Sequence, residues 1–223
     1  MTTDGGATPT ASPSRDILVW DPLVRFGHWA LVAAFAVAYL SAEEEAGGPD
    51  PLHLWGGYVV GAIVMLRVLW GFVGPRHARF ADFVRGPIET LVYLRDLLLA
   101  RGRRYVGHSP GGGAMVIALL VCLAATVATG MMAYGEQGKG LLAEGGAMVG
   151  SARPDRDQAE HGTRRGGGQI TESTTGELHN LLANITLALV VAHIFGVAVA
   201  SFVHRENLVL AMITGRKRRA HDR

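Results

Sequence analysis

The chain has 223 residues, one domain's worth, of which 49% are apolar and 18% charged. The charges cluster between long apolar runs, which excludes an ordinary soluble globule and points to a membrane protein. A formal net charge of +2 gives no basis for a nucleic-acid partner. The lone cysteine, Cys122, excludes an intramolecular disulfide, a Cys-x-x-Cys-His haem attachment and a cysteine-ligated cluster or zinc finger within the chain. It lies in an apolar run and reads as a small core hydrophobe.

Residues 1–16 are small and polar and lack the basic start and apolar core of a signal peptide. They read as a disordered tail. Four apolar segments then have the length to cross a bilayer as helices: about 23–42, 53–73, 112–134 and 178–204. The expected fold is an all-α integral membrane four-helix bundle occupying 17–215, with a basic tail at 216–223. A short acidic turn (Glu43, Glu44, Glu45, Asp50) joins the first two spans. Seven arginines (Arg76, Arg79, Arg85, Arg95, Arg101, Arg103 and Arg104) lie in the connection between the second and third. A glycine-rich loop at 135–177 joins the third and fourth. The positive-inside rule puts the arginine-rich connection, the basic tail and hence both termini in the cytoplasm. In the inner connection, Pro87 suits a first helical position. Ile88, Leu91, Val92, Leu94, Leu98 and Leu99 cover one side of a helix at about 87–99, with Arg95 and Asp96 opposite. That pattern fits an amphipathic helix on the inner membrane surface. Trp20, Trp29, Trp55 and Trp70 fall near span ends, where tryptophans anchor at the interface.

Of the nine histidines, His28, His53 and His179 lie near span starts and His193 lies deep in a span. Ionisable residues there are costly and usually functional. His179 and His193 are 14 residues apart on one helix, so they share a face and sit roughly 21 Å apart along the axis. Depth then selects partners: His53 with His179 toward the outside, His28 with His193 toward the inside. Each pair comes from two helices and can clamp one haem iron between axial imidazoles. His108 and His204 are the competitors for the inner ligand role. Gly57 and Gly61 follow His53 at intervals of four, where they either admit a flat macrocycle or serve close helix packing. Arg67, 14 residues after His53, sits near the inner pair's depth, and an anion such as a haem propionate would answer its charge. A haem-free scaffold or transporter subunit, passing protons or metal along these histidines, is the rival from another class. A zinc site would need the ligands clustered at one depth. A third reading, a structural anchor for a periplasmic enzyme, has no need of depth-matched histidines.

An ordered set of motifs resembles the bacterial cytochrome b561 family, which includes the cytochrome b subunits of nickel–iron hydrogenases. The set runs from Val19-Trp20-Asp21-Pro22 and Arg25-Phe26-Gly27-His28-Trp29 through His53-Leu54-Trp55-Gly56-Gly57-Tyr58 and Arg67-Val68-Leu69-Trp70-Gly71-Phe72-Val73-Gly74. It continues with Ala78-Arg79-Phe80, Gly107-His108-Ser109-Pro110, Glu177-Leu178-His179, His193, Arg205-Glu206-Asn207-Leu208 and Met212 to Lys217. The resemblance covers about residues 17–219. It implies a four-helix bundle in the bacterial inner membrane with two haems b ligated at His28, His53, His179 and His193. It also implies exchange with lipid-borne quinone and a periplasmic redox partner, such as a cytochrome c or a hydrogenase subunit, with stand-alone superoxide oxidation a narrower option. Ser109 stands where many relatives have Asn, and the long 135–177 loop departs from the pattern.

Overall fold

The protein is described from a computed structural model, in which residues 16–42, 44–45, 48–99, 101, 105, 107–142 and 174–218 are placed. The tail expected at residues 1–16, all but Asp16, lies outside them, as do most of the 135–177 loop and the end of the basic tail. In chain order the elements are β1 (Asp16–Leu18), α1 (Pro22–Leu40), β2 (Glu44–Glu45), β3 (Gly48–Pro49) and α2 (Pro51–Val73). A single 3-10 turn and α3 (Phe80–Phe83) follow, then α4 (Pro87–Leu98), α5 (Pro110–Glu136), α6 (Thr174–His204), α7 (Leu208–Thr214) and β4 (Arg216–Arg218). Helices α1, α2, α5 and α6 are each long and apolar enough to cross a membrane. The chain is therefore a multi-pass, all-α membrane protein, with only two short antiparallel ladders, β1–β4 and β2–β3, beside its helices among the described residues.

Three spans open with the same chemistry. A capping oxygen accepts a hydrogen bond from an amide of the first turn, and the next residue is a proline, whose missing N–H costs nothing there. Asp21 accepts from the Val24 amide at 3.0 Å, Asp50 from Leu52 at 2.7 Å and Ser109 from Gly112 at 3.2 Å. The caps start α1, α2 and α5 one or two residues ahead of the apolar runs.

Lipid tails are as apolar as leucine, so side-chain burial does not by itself drive helices together in a bilayer; close packing and interhelical hydrogen bonds do. Small residues sit where this requires them. A Cβ on Gly56 would lie 3.0 Å from Ala38 Cβ, so α1 and α2 touch there. A Cβ on Gly61 would lie 3.0 Å from Val127 Cγ1, so α2 and α5 touch there. Val60 and Val64 of α2 and Leu120 and Leu123 of α5 form the mid-bundle core, with Leu31, Ala34 and Phe35 of α1 packed against it. Deeper in the α5–α6 contact, Thr186 is wholly buried and its hydroxyl lies 3.2 Å from that of Thr126. Most other span side chains point outward: Phe26, Phe72 and Phe202 are largely exposed in the isolated chain and face lipid.

The first and last described segments meet at one end of the bundle. β1 pairs with β4 in the register Asp16↔Arg218 to Leu18↔Arg216, and the Val19 amide donates to Gly215 O at 2.8 Å. Gly215 has φ +79°, the left-handed conformation that closes α7 and that glycine adopts without strain. The Arg25 guanidinium donates to Ile213 O. Around this clasp Val19, Trp20, Val24 and Ala78 form a second core, with Trp70 and Met212 packed against it. Two of the four expected interface tryptophans are therefore packing residues. Trp20 is buried, and Trp70 donates its indole N–H to Asp21 Oδ2 at 3.3 Å. Trp29 and Trp55 are exposed, as interface anchors are.

The amphipathic helix α4 carries two apolar surfaces rather than one. Tyr93 and Leu97 are buried, and a Cβ on Gly111 of α5 would lie 3.2 Å from Tyr93 Cδ1. Ile88, Leu91 and Leu98 point away from the bundle and are exposed. At 100° per residue Arg95 falls among these exposed apolar residues rather than opposite them, and its guanidinium turns aside to Asp96 at 2.8 Å.

Candidate functional site

The four span histidines meet in two pairs, at two depths. His53 of α2 and His179 of α6 have ring centroids 5.9 Å apart, at the end of the bundle away from the termini. His28 of α1 and His193 of α6 have centroids 6.4 Å apart, nearer the termini. Two imidazoles on opposite sides of one metal ion, each with a metal–nitrogen bond of about 2.0 Å and about 1.1 Å more to the ring centre, put their centroids about 6.2 Å apart. Both pairs have that spacing. The competitors stand elsewhere. His108 packs its ring against Trp20 at 4.5 Å and Phe83 at 4.3 Å, and His204 ends α6. Among the described residues no cluster of three or more His, Cys, Asp or Glu side chains could hold a metal ion, so the histidines come as pairs.

The pair far from the termini has its tautomers fixed. His53 Nδ1 lies 2.8 Å from Ala38 O, and His179 Nδ1 lies 2.9 Å from Thr126 O. A carbonyl only accepts, so each Nδ1 carries the proton and each Nε2 keeps its lone pair for a metal. The pair near the termini differs: His28 Nδ1 is buried without a hydrogen-bond partner. A buried donor left unmatched is costly, and ligand sites are one place where such costs are met.

Glycine shapes the far pair. A Cβ on Gly130 of α5 would fall 2.9 Å from His179 Cε1 and 3.0 Å from its Nδ1, so only a residue without a side chain lets this imidazole lie against the helix. Gly57 has nothing within 4 Å of the position its Cβ would take, which leaves open space one turn from His53. Gly61 faces Val127, and of the two roles open to it packing is the one occupied.

Arg67 lies in a cleft of aromatic rings. Its guanidinium carbon is 5.3 Å from the Phe80 ring centre and 5.9 Å from that of Phe83, and its Nη1 is buried with no hydrogen-bond partner. Ring faces attract a cation but do not replace the hydrogen bonds it has lost. A buried guanidinium in this state calls for an anionic acceptor such as a carboxylate. The donor set thus fits haem twice over: paired imidazoles for the iron and a cation for a propionate.

Nothing in the pattern of apolar runs singles out Thr126, Thr129, Gly130, Phe80 or Phe83. A lone glycine costing about 1 kcal/mol in a helix interior is the one signal that marks Gly130. The backbone acceptors at Ala38 and Thr126 leave no trace in side-chain identity.

The family model described as prokaryotic cytochrome b561 matches residues 19–215. No curated protein and no solved structure matches the chain. The chain belongs to the prokaryotic cytochrome b561 family, whose members carry haem b in the membrane and transfer electrons across it.

Proposed function

We propose that this protein carries two haems b, one at His53/His179 and one at His28/His193, and moves electrons between a periplasmic redox partner and the quinone pool of the bacterial inner membrane. The observation that carries the reading is the pair of imidazole pairs, at 5.9 and 6.4 Å, separated by roughly two helical turns on either side of Thr186. When bound, haem b supplies a one-electron ferric/ferrous couple at each pair. The rest falls to the polypeptide. Four imidazoles from three helices hold two centres roughly 21 Å apart along α6. Ala38 and Thr126 orient two of them through Nδ1. Arg67 offers its unmatched Nη1 to a propionate, and the Val60, Val64, Leu120 and Leu123 core keeps water out between the two levels. The arginine-rich connection and the clasped termini lie at the same end, which the positive-inside rule places in the cytoplasm. The His53/His179 site then faces the periplasm. A cytochrome c or a hydrogenase subunit is the class of partner that fits there.

The test is a pyridine haemochrome assay on purified protein, with haem counted against chain, followed by anaerobic titration with a quinol. Two b haems per chain and their reduction by quinol are the expected result. One haem would mean that one pair is misassigned. No haem, in protein from haem-replete cells, would overturn the reading in favour of a scaffold or transporter. Two haems inert to quinol would remove the quinone pool from it.

A further inference from the structure

The two histidine pairs do not sit in the same electrical surroundings. At the far pair, both rings are committed through Nδ1 to backbone carbonyls at 2.8 and 2.9 Å. Hydrogen bonding of this kind makes an imidazole a stronger electron donor to the metal it ligates. A more basic ligand favours the ferric state and lowers the potential. Ala38 O is a strong acceptor, because α1 ends at Leu40 before the residue whose amide would have used that carbonyl. The charged groups that cap or follow the helices here are mainly acidic: Asp50, Glu136 and Glu177 against Lys139.

At the near pair the surroundings reverse. His28 Nδ1 has no acceptor. Arg25, one turn before His28, has a buried Nε without a partner, and Arg67 has a buried Nη1 without one. Asp21 accepts from the Val24 amide and the Trp70 indole, keeps its charge and acts electrostatically on Arg67. Arg25 and Arg67 outnumber Asp21 here, and a local excess of positive charge stabilises a centre that has gained an electron.

We propose that the chain orders its two haems by potential: the His53/His179 site holds the lower-potential haem and the His28/His193 site the higher. This rests on the di-haem reading above and adds a direction to it. An electron entering at the far end moves downhill toward the termini: the ferrous centre at the far pair becomes ferric, the ferric centre at the near pair becomes ferrous, and no proton or atom moves. In the orientation given above, the periplasmic partner is the electron donor and quinone, on the cytoplasmic side, the acceptor.

Spectroelectrochemical titration of the two-haem protein tests the order, and two substitutions assign it. Thr129 Oγ1 lies 2.8 Å from Ala125 O and 3.0 Å from Thr126 O, the carbonyl that His179 uses. Thr129→Val frees the carbonyl for the imidazole and should shift only the lower component, downward, with Thr129→Ser restoring it. Arg67→Gln should shift only the higher component, downward, with Arg67→Lys holding it near the parent value. The parent should show two one-electron components differing by at least tenfold in their reduction equilibrium, or about 59 mV. A single potential, or substitutions that move the opposite components, would overturn the ordering and leave the di-haem reading standing. Fewer than two haems in the parent would instead strike at that reading. If Arg67→Gln sheds its haem, Thr129→Val still decides, because a shift confined to the higher component would refute the assignment.

Discussion

Replacing Gly130 with alanine asks whether the far histidine pair depends on a contact that only glycine permits. The new Cβ would stand 2.9 Å from His179 Cε1 and 3.0 Å from Nδ1. Carbon atoms settle at about 3.5–4.0 Å, so the ring must retreat by about 0.6–1 Å. That movement stretches the 2.9 Å bond from Nδ1 to Thr126 O toward or past 3.5 Å, where it ceases to be a hydrogen bond. Losing such support for a metal ligand typically costs about 10–100-fold in affinity. The assay is transfer of haem from purified Gly130→Ala protein to excess apomyoglobin, followed by absorbance and scored against a haemochrome count. One haem per chain should leave about 10–100-fold more readily than in the parent, while the other stays. The retained haem at His28/His193 reports in the same molecule that the bundle is folded. Gly27→Ala, whose Cβ meets nothing within 4 Å, should behave as the parent. Parent-like transfer from Gly130→Ala would refute the argument, because it would show that His179 can give way without consequence or does not hold the metal.

Gly113→Ala should destabilise the whole bundle. Its Cβ would fall 2.5 Å from the carbonyl oxygen of the buried Phe83, a backbone atom with no rotamer to yield, at a cost of about 1–3 kcal/mol in detergent unfolding. Thr186→Val keeps the shape and removes the hydroxyl bonded to Thr126; such interhelical bonds average about 0.6 kcal/mol, so unfolding should move only slightly and both haems should stay. Arg67→Ala should loosen the haem at His28/His193 or shift its midpoint alone, as read by haemochrome count and redox titration, and an unchanged pair of midpoints would remove the propionate role.

How far the sequence reaches depends on whether a feature is carried by side-chain identity or by contact. The depth-matched histidines are legible because helix geometry is regular: 14 residues on one face fix a separation wherever the helix stands. The span starts are legible too, since aspartate or serine before proline is a chemical cap, although counting apolar residues alone places α1 and α2 one or two residues late. Trp20 and Trp70 go the other way. A tryptophan near a span end reads as an interface anchor, and only the pairing of β1 with β4, across almost the whole chain length, turns Trp20 inward against Ala78 and Val24. The second apolar surface of α4 is hidden for a similar reason: Tyr93 and Leu97 gain their meaning from Gly111 and the α5 segment beyond it.

The asymmetry between the two histidine pairs follows from where one helix stops. In an antiparallel bundle, each end of the membrane receives some helix starts, which present amides, and some helix ends, which present unused carbonyls. α1 ends beside His53 and leaves Ala38 O free to take the ring proton. The same helix begins near His28, where it presents Asp21 and first-turn amides rather than carbonyls. His28 therefore finds no acceptor on its own helix start, and none reaches it from α6. Extending α1 by one turn would pair Ala38 O within the helix and leave His53 to share it, as His179 shares Thr126 O inside α5. The length of α1, set by Asp21-Pro22 at one end and the stop after Leu40 at the other, is thus a determinant of how differently the two histidine pairs are hydrogen-bonded.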